Sequence, residues 1–139
     1  MTLNQAFFDS WTPRALGALR IVTAFLFVQH GTAKLLHVPH VAMFDQLPLL
    51  SLIGFAGTLE LVGGLLLLIG LFTRPAAFIL CGEMAFAYFM GHAPHGNFLS
   101  PSLNNGEPAV LFCFIFLLLS VAGAGAWSVD AHHGRAKGT

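Results

Sequence analysis

Glu60 is the residue most out of place in this sequence. It stands in GTLELVGG, residues 57–64, within a run of leucine, isoleucine, phenylalanine and glycine. A carboxylate at membrane depth costs about 2.5–3.5 kcal/mol on insertion scales unless it is paired, hydrated or protonated. A second acid, Glu83, interrupts another apolar run, and HGTAK, residues 30–34, sets His30 and Lys34 four positions apart. That spacing puts both on one helix face. Glu107 follows in NNGEP, residues 104–108. Acids and bases of these types take up and release protons, or exchange hydrogen bonds with a small polar ligand. Glu60 therefore reads in two ways: as a register-fixing partner of His30, Lys34 or Arg20, or as a proton acceptor and hydrogen-bond partner for a small polar ligand. His30 reads as a proton carrier or a satisfied interior histidine. Lys34 reads as an anion holder, a partner of Glu107, or a side chain reaching the headgroups.

What must position these groups is a set of membrane helices. Of 139 residues, 56% are hydrophobic and 9% charged, against roughly 25% charged in a soluble domain. Six basic and six acidic residues cancel, which gives no polybasic surface for nucleic acid. Two cysteines are too few for a disulfide framework. Four apolar spans are legible at about 15–36, 49–71, 74–91 and 108–126, each near the ~17–25 residues a crossing helix needs. Backbone groups in lipid must bond internally, so the spans should be helices. The expected architecture is all-α: one domain, a transmembrane four-helix bundle. Thr73 in TRPA, residues 73–76, is placed to cap the third helix, Asn105 to cap or rim the fourth, and Pro108 to sit in the fourth helix's first turn.

Lysine and arginine set the expected orientation. Arg14, Arg20, Arg74, Arg135 and Lys137 fall on the side of the termini, and Lys34 alone on the other. The positive-inside rule puts both termini in the cytoplasm of a multi-pass inner-membrane protein surrounded by lipid. The leader reads as an interfacial segment with Trp11 as an anchor. Glu60 and Glu83 then fall near mid-depth, with His30, Lys34 and Glu107 in the outer half. Arg20, Thr23, Phe27, His30 and Lys34 form one stripe on the first helix, and Gly57, Glu60 and Gly64 share a face of the second. Gly63 and Gly64 remove bulk beside the carboxylate, so that a helix or a flat ligand can approach closely. Glu107 alternatively serves as a first-turn charge favoured by the helix dipole. The expected site is an outer polar pocket of His30, Lys34, Glu60, Glu83 and Glu107.

The pieces LRIVTAFLFVQHGTAKL (19–35), GTLELVGGLLLLIGLFTR (57–74) and NNGEPAVLFCFIFLLLSVAGAGAWSVD (104–130) resemble the DoxX family of four-helix membrane proteins. The resemblance implies an integral inner-membrane protein, with some relatives linked to thiosulfate oxidation with quinone as acceptor and others to redox-stress complexes. It places the family's polar positions at His30, Gly31, Lys34, Glu60, Gly63, Gly64, Asn105, Gly106 and Glu107. The third span matches more loosely, so Glu83 stands on its position alone.

Other groups suggest less. His92 and His95 lie in a polar loop without metal-ligand spacing, and no metal site is expected. Cys81 and Cys113 are expected about 10 Å apart, on opposite halves of antiparallel helices, as small apolar residues. No phosphate loop or nucleophile elbow is present, and no intrinsic cofactor is expected, so any electron carrier belongs to a partner or is the membrane quinone. Two functions remain open. One is a subunit of a quinone-linked redox system, with a partner redox protein or a second copy of itself. The other is a non-enzymatic protein that binds or moves a small solute or anchors a partner.

Overall fold

The computed structural model describes residues 3–136. Lys137, counted above among the positive charges, lies outside the described residues, as does the Arg135 side chain. The described chain is helical: α1 (Leu3–Leu36), α2 (Leu52–Ile69), α3 (Thr73–Ala87), α4 (Glu107–Ala122) and α5 (Val129–Ala136). Three segments, Asn4–Leu36, Leu52–Ile69 and Thr73–His95, are long and apolar enough to cross a membrane; Glu107–Ala122 is a shorter apolar helix.

Helix α1 begins well before the expected residue 15. Local pairs hold the leader helical: Gln5 Nε2 donates to Asp9 Oδ1, Arg14 donates to Ser10, and the Arg14 guanidinium lies 5.4 Å from the Trp11 ring centre. Such three- and four-apart pairs support isolated turns. At 34 residues and 1.5 Å per residue, α1 is roughly 50 Å long, longer than the ~30 Å hydrocarbon core.

The other helices are set by their ends. Ser51 caps α2 by accepting from the Gly54 N–H, and Gly70 closes it in the left-handed conformation, where glycine carries no Cβ penalty. Thr73 does not cap α3, contrary to expectation. Phe72 takes the cap position, and the Asp130 carboxylate accepts from the Phe72 and Thr73 N–H groups at 2.9 and 2.8 Å. A carboxylate favoured by the helix dipole thus comes from α5, 57 residues away. Helix α3 runs on through a π-helical turn, Tyr88–His92.

Consecutive helices run antiparallel. Lys34 meets Glu60 while Arg20 meets Leu67, and Arg74 meets Val121 while Tyr88 meets Asn104. Phe27, Leu67, Leu80, Phe116 and Leu119 fill the core. Val22, Phe25, Phe55, Phe78, Phe114 and Val121 are exposed around it. Membrane helices turn such side chains to lipid, which is as apolar as they are.

Arg20 locks one end of the bundle. It is fully buried, and its five N–H donors reach the carbonyl oxygens of Ala124, Leu67, Leu68, Ala126 and Trp127. Those carbonyls belong to the last turn of α2 and the link after α4, groups a helix leaves unbonded at its C-terminus. Arg74 does the same for α4, donating to Ser120, Val121 and Ala122. This arginine end holds the α2–α3 turn; the opposite, loop end holds the long α3–α4 connection.

Candidate functional site

Lys34, Glu60 and Glu83 come together from three helices. Glu60 lies nine residues before the end of α2 and Glu83 ten residues after the start of α3, so both sit about 14–15 Å from the arginine end. Lys34, near the last turn of α1, donates its ammonium to Glu60 Oε1 at 2.5 Å. The pair is largely buried: the Lys34 side chain is 15% exposed and that of Glu60 4%. Glu83 lies within electrostatic reach of both. Three buried oxygens, Glu60 Oε2 and both of Glu83, have no hydrogen-bond partner among the described residues. The cluster therefore holds two carboxyl groups, one ammonium and an excess of unused acceptors. A ligand suited to it is a hydrogen-bond donor.

Close backbone approach makes this possible. A Cβ on Gly31 would stand 2.6 Å from the Leu61 backbone nitrogen and 2.9 Å from the Gly57 carbonyl oxygen, closer than atoms pack, so α1 and α2 touch backbone to backbone. A Cβ on Gly57 would stand 2.9 Å from Lys34 Cβ, and one on Gly64 2.7 Å from Val28 Cγ2. Gly63 turns the other way, toward Leu80 of α3 at 2.9 Å. The glycines beside Glu60 thus admit α1 on one side and α3 on the other; the space they leave is occupied by protein.

His30 stands at the edge of the cluster. It lies within electrostatic reach of Lys34, is exposed, and packs edge-on against Phe112 of α4 with ring centres 5.7 Å apart. Phe27 sits 5.1 Å from Phe112 and 4.8 Å from Phe116. The α1–α4 seam is thus an aromatic stack with an imidazole at its lipid-facing margin. Arg20 does not contribute to the cluster; its donors are all held by carbonyls.

Glu107 and Asn105 do not join the site as expected. Glu107 is exposed in the first turn of α4 and forms no ion pair with Lys34. The reason is that Lys34 reaches inward to Glu60 and away from the mouth. Asn105 is exposed with φ 57° and caps nothing; Gly106 takes the cap position. The neighbouring Asn104, passed over in the sequence, does the ordering. It is buried, its amide nitrogen donates to Tyr88 Oη and the Asn97 carbonyl oxygen, and its amide oxygen accepts from the Gly106 N–H. Tyr88 Oη in turn donates to the Phe98 carbonyl oxygen at 2.6 Å. Two adjacent asparagines give no sequence signal as to which one turns inward.

Two surface clefts, of about 450 and 430 Å³, lie at the arginine end, around Trp127 and His132 and around Arg74 and Asp130. One further expectation changes: Cys81 and Cys113 are not apart, and their sulfurs are 3.7 Å from each other. Helix α4 ends at Ala122, four residues short of the expected 126. That shift brings Cys113 to the depth of Cys81.

A DoxX family model matches residues 15–93, more than half of the chain. The chain belongs to the DoxX family. An uncharacterized protein of Haemophilus influenzae is 45% identical over 129 residues, covering 88% of this chain and 92% of that one. The inner membrane protein YphA of Escherichia coli is 28% identical over 137 residues, covering 93% and 97%. No solved structure matches the chain significantly. With its family and its spanning helices together, this is a DoxX membrane protein whose matched region contains Lys34, Glu60 and Glu83.

Proposed function

We propose that this DoxX protein is a quinone-linked redox subunit of the inner membrane, with both termini cytoplasmic and helices α1 to α4 embedded in the bilayer. The observation that carries the reading is the set of three buried carboxyl oxygens without a hydrogen-bond partner among the described residues, beside Lys34. A quinol head group offers hydroxyl donors to those oxygens, and the lysine offers a donor to the carbonyl of the oxidised form. Quinone reduction takes up protons, and a pair of acids at mid-depth is the residue type that supplies and accepts them. Two carboxyl groups facing one ammonium are electrically balanced when the site holds one proton, and Glu83, with no cation bonded to it, is the group to hold it.

The route from the bilayer in this reading is the α1–α4 seam, where the His30, Phe27 and Phe112 rings pack together and would have to part for the head group. The imidazole then relays protons between the cluster and the headgroup region. Electrons come from a partner redox protein docked on the membrane, since the chain has no motif for a nucleotide cofactor of its own.

The test is purification in mild detergent, followed by extraction and identification of bound small molecules, with wild type compared against Glu60→Gln and Glu83→Gln. Quinone at near one per chain in wild type, depleted in both variants, is the expected result. A quinone-free protein carrying another donor-rich solute would replace this reading with small-solute binding. A quinone-free protein holding a soluble partner would replace it with an anchor.

A further inference from the structure

Cys81 and Cys113 are the cysteines of this chain, and they face each other across the α3–α4 interface. Cys81 is four residues past buried Ala77 and three before buried Met84; Cys113 is four past buried Ala109 and three before buried Phe116. Helical spacing therefore places each on its helix's inward face. Their sulfurs lie 3.7 Å apart, within thiol–sulfur hydrogen-bond range, and neither is bridged. A disulfide has its sulfurs about 2.05 Å apart, so each would move by less than about 1 Å to form one.

We propose that Cys81 and Cys113 are a dithiol–disulfide couple, oxidised within the bilayer by a lipid-dissolved quinone. The step balances. The Cys81 and Cys113 S–H bonds break, one Sγ–Sγ bond forms, and two electrons and two protons pass to the quinone, which leaves as quinol. Depth selects the oxidant. Both sulfurs lie about 12–14 Å from the arginine end of their helices, inside a hydrocarbon layer that charged thiol reagents and glutathione do not enter. A quinone is soluble there and accepts the same two electrons and two protons that a thiol pair gives up. Both cysteines are half-buried, at the margin of the core and next to lipid-facing Phe78 and Phe114, so an oxidant diffusing in the bilayer reaches them. The bond closes the α3–α4 hairpin midway along its length. That changes the stiffness of the same α3 that presents Glu83. The couple does not depend on quinone binding at Lys34, Glu60 and Glu83, and a failure to find quinone there leaves it standing.

The experiment uses the full chain in phosphatidylethanolamine–phosphatidylglycerol nanodiscs, reduced with dithiothreitol, desalted without air, and exposed to a short-chain ubiquinone analogue. The sample is quenched in acid, unfolded, alkylated with a maleimide and weighed intact. The wild type is expected to pass from two alkylated thiols to none as a monomer, with one quinol formed per chain and full reversal by dithiothreitol. Cys81→Ser and Cys113→Ser are expected to keep one reactive thiol each and form no quinol. Two alkylatable thiols surviving in wild type, or thiols lost only through dimers or quinone adducts, would overturn the proposal.

Discussion

Breaking the Lys34–Glu60 pair, one partner at a time and then together, measures whether it is a true ion pair in a dry interior. At 2.5 Å and an effective dielectric of about 20, two unit charges attract by about 6–7 kcal/mol. Desolvating both ions offsets much of that in the net stability, but each ion's own desolvation cancels in the double-variant cycle, where close charge pairs couple by about 1.5–7 kcal/mol. Lys34→Met leaves the Glu60 charge buried without its cation, and removal of one partner of a buried pair costs about 3–5 kcal/mol. Glu60→Gln is milder, about 1 kcal/mol, because Lys34 sits two residues from the end of α1 and its stem can carry the ammonium to the headgroups. The double variant removes both charges and is expected to be more stable than Lys34→Met alone. The assay is reversible unfolding in mixed micelles by titration with a denaturing detergent, with helicity as the readout for all four proteins. Additivity of the two single effects within about 0.5 kcal/mol would show the charges do not sense each other and would refute the reasoning.

Three further outcomes follow from the packing. Arg20→Lys should act as a severe substitution: three donors replace five, at least two of the carbonyls of Leu67, Leu68, Ala124, Ala126 and Trp127 are stranded, and each costs about 1–3 kcal/mol; folded yield in mild detergent reads this. Asn104→Ala should lower stability by about 2 kcal/mol and open the α3–α4 loop to protease, whereas Asn105→Ala should cost only the roughly 1 kcal/mol strain of an alanine at left-handed φ and leave the loop closed, since the Asn104 side chain is the one bonded into it. Gly31→Ala should drive α1 from α2, because its Cβ meets backbone of Leu61 and Gly57, while Gly63→Ala meets the side chain of Leu80 and no backbone; a larger drop in thermal midpoint for Gly31→Ala than for Gly63→Ala checks this.

Much of this was legible in the residues. The four apolar runs, the stripe on α1 and the carboxylate on α2 point to a bundle with a charged interior, because hydropathy and helical period are local properties of sequence. The choice of Lys34 as the partner of Glu60 was one of three offered by that stripe. The structure pairs Glu60 with Lys34 and gives Arg20 to backbone carbonyls at the other end of the bundle. What was not legible depended on where chains end and meet. The fourth helix stops at Ala122, with the link that follows held down by Arg20 and Arg74; nothing in an apolar run marks that stop, and the misplaced end separated two cysteines that touch. Asp130 caps a helix 57 residues away, a long-range contact beyond any local capping pattern. Glu107 and Asn105 were drawn into the site by family position and proximity in sequence, and the inward reach of Lys34 leaves them at the surface.

The central claim is that two mid-membrane acids share one lysine, with Glu60 charged beside it and Glu83 carrying a proton. Infrared spectroscopy of the purified protein near neutral pH sees this directly, through the carbonyl stretch of a protonated carboxyl group. That band is expected in wild type, lost in Glu83→Gln and retained in Glu60→Gln. A wild-type spectrum without it, or a band that survives in Glu83→Gln, would contradict the account.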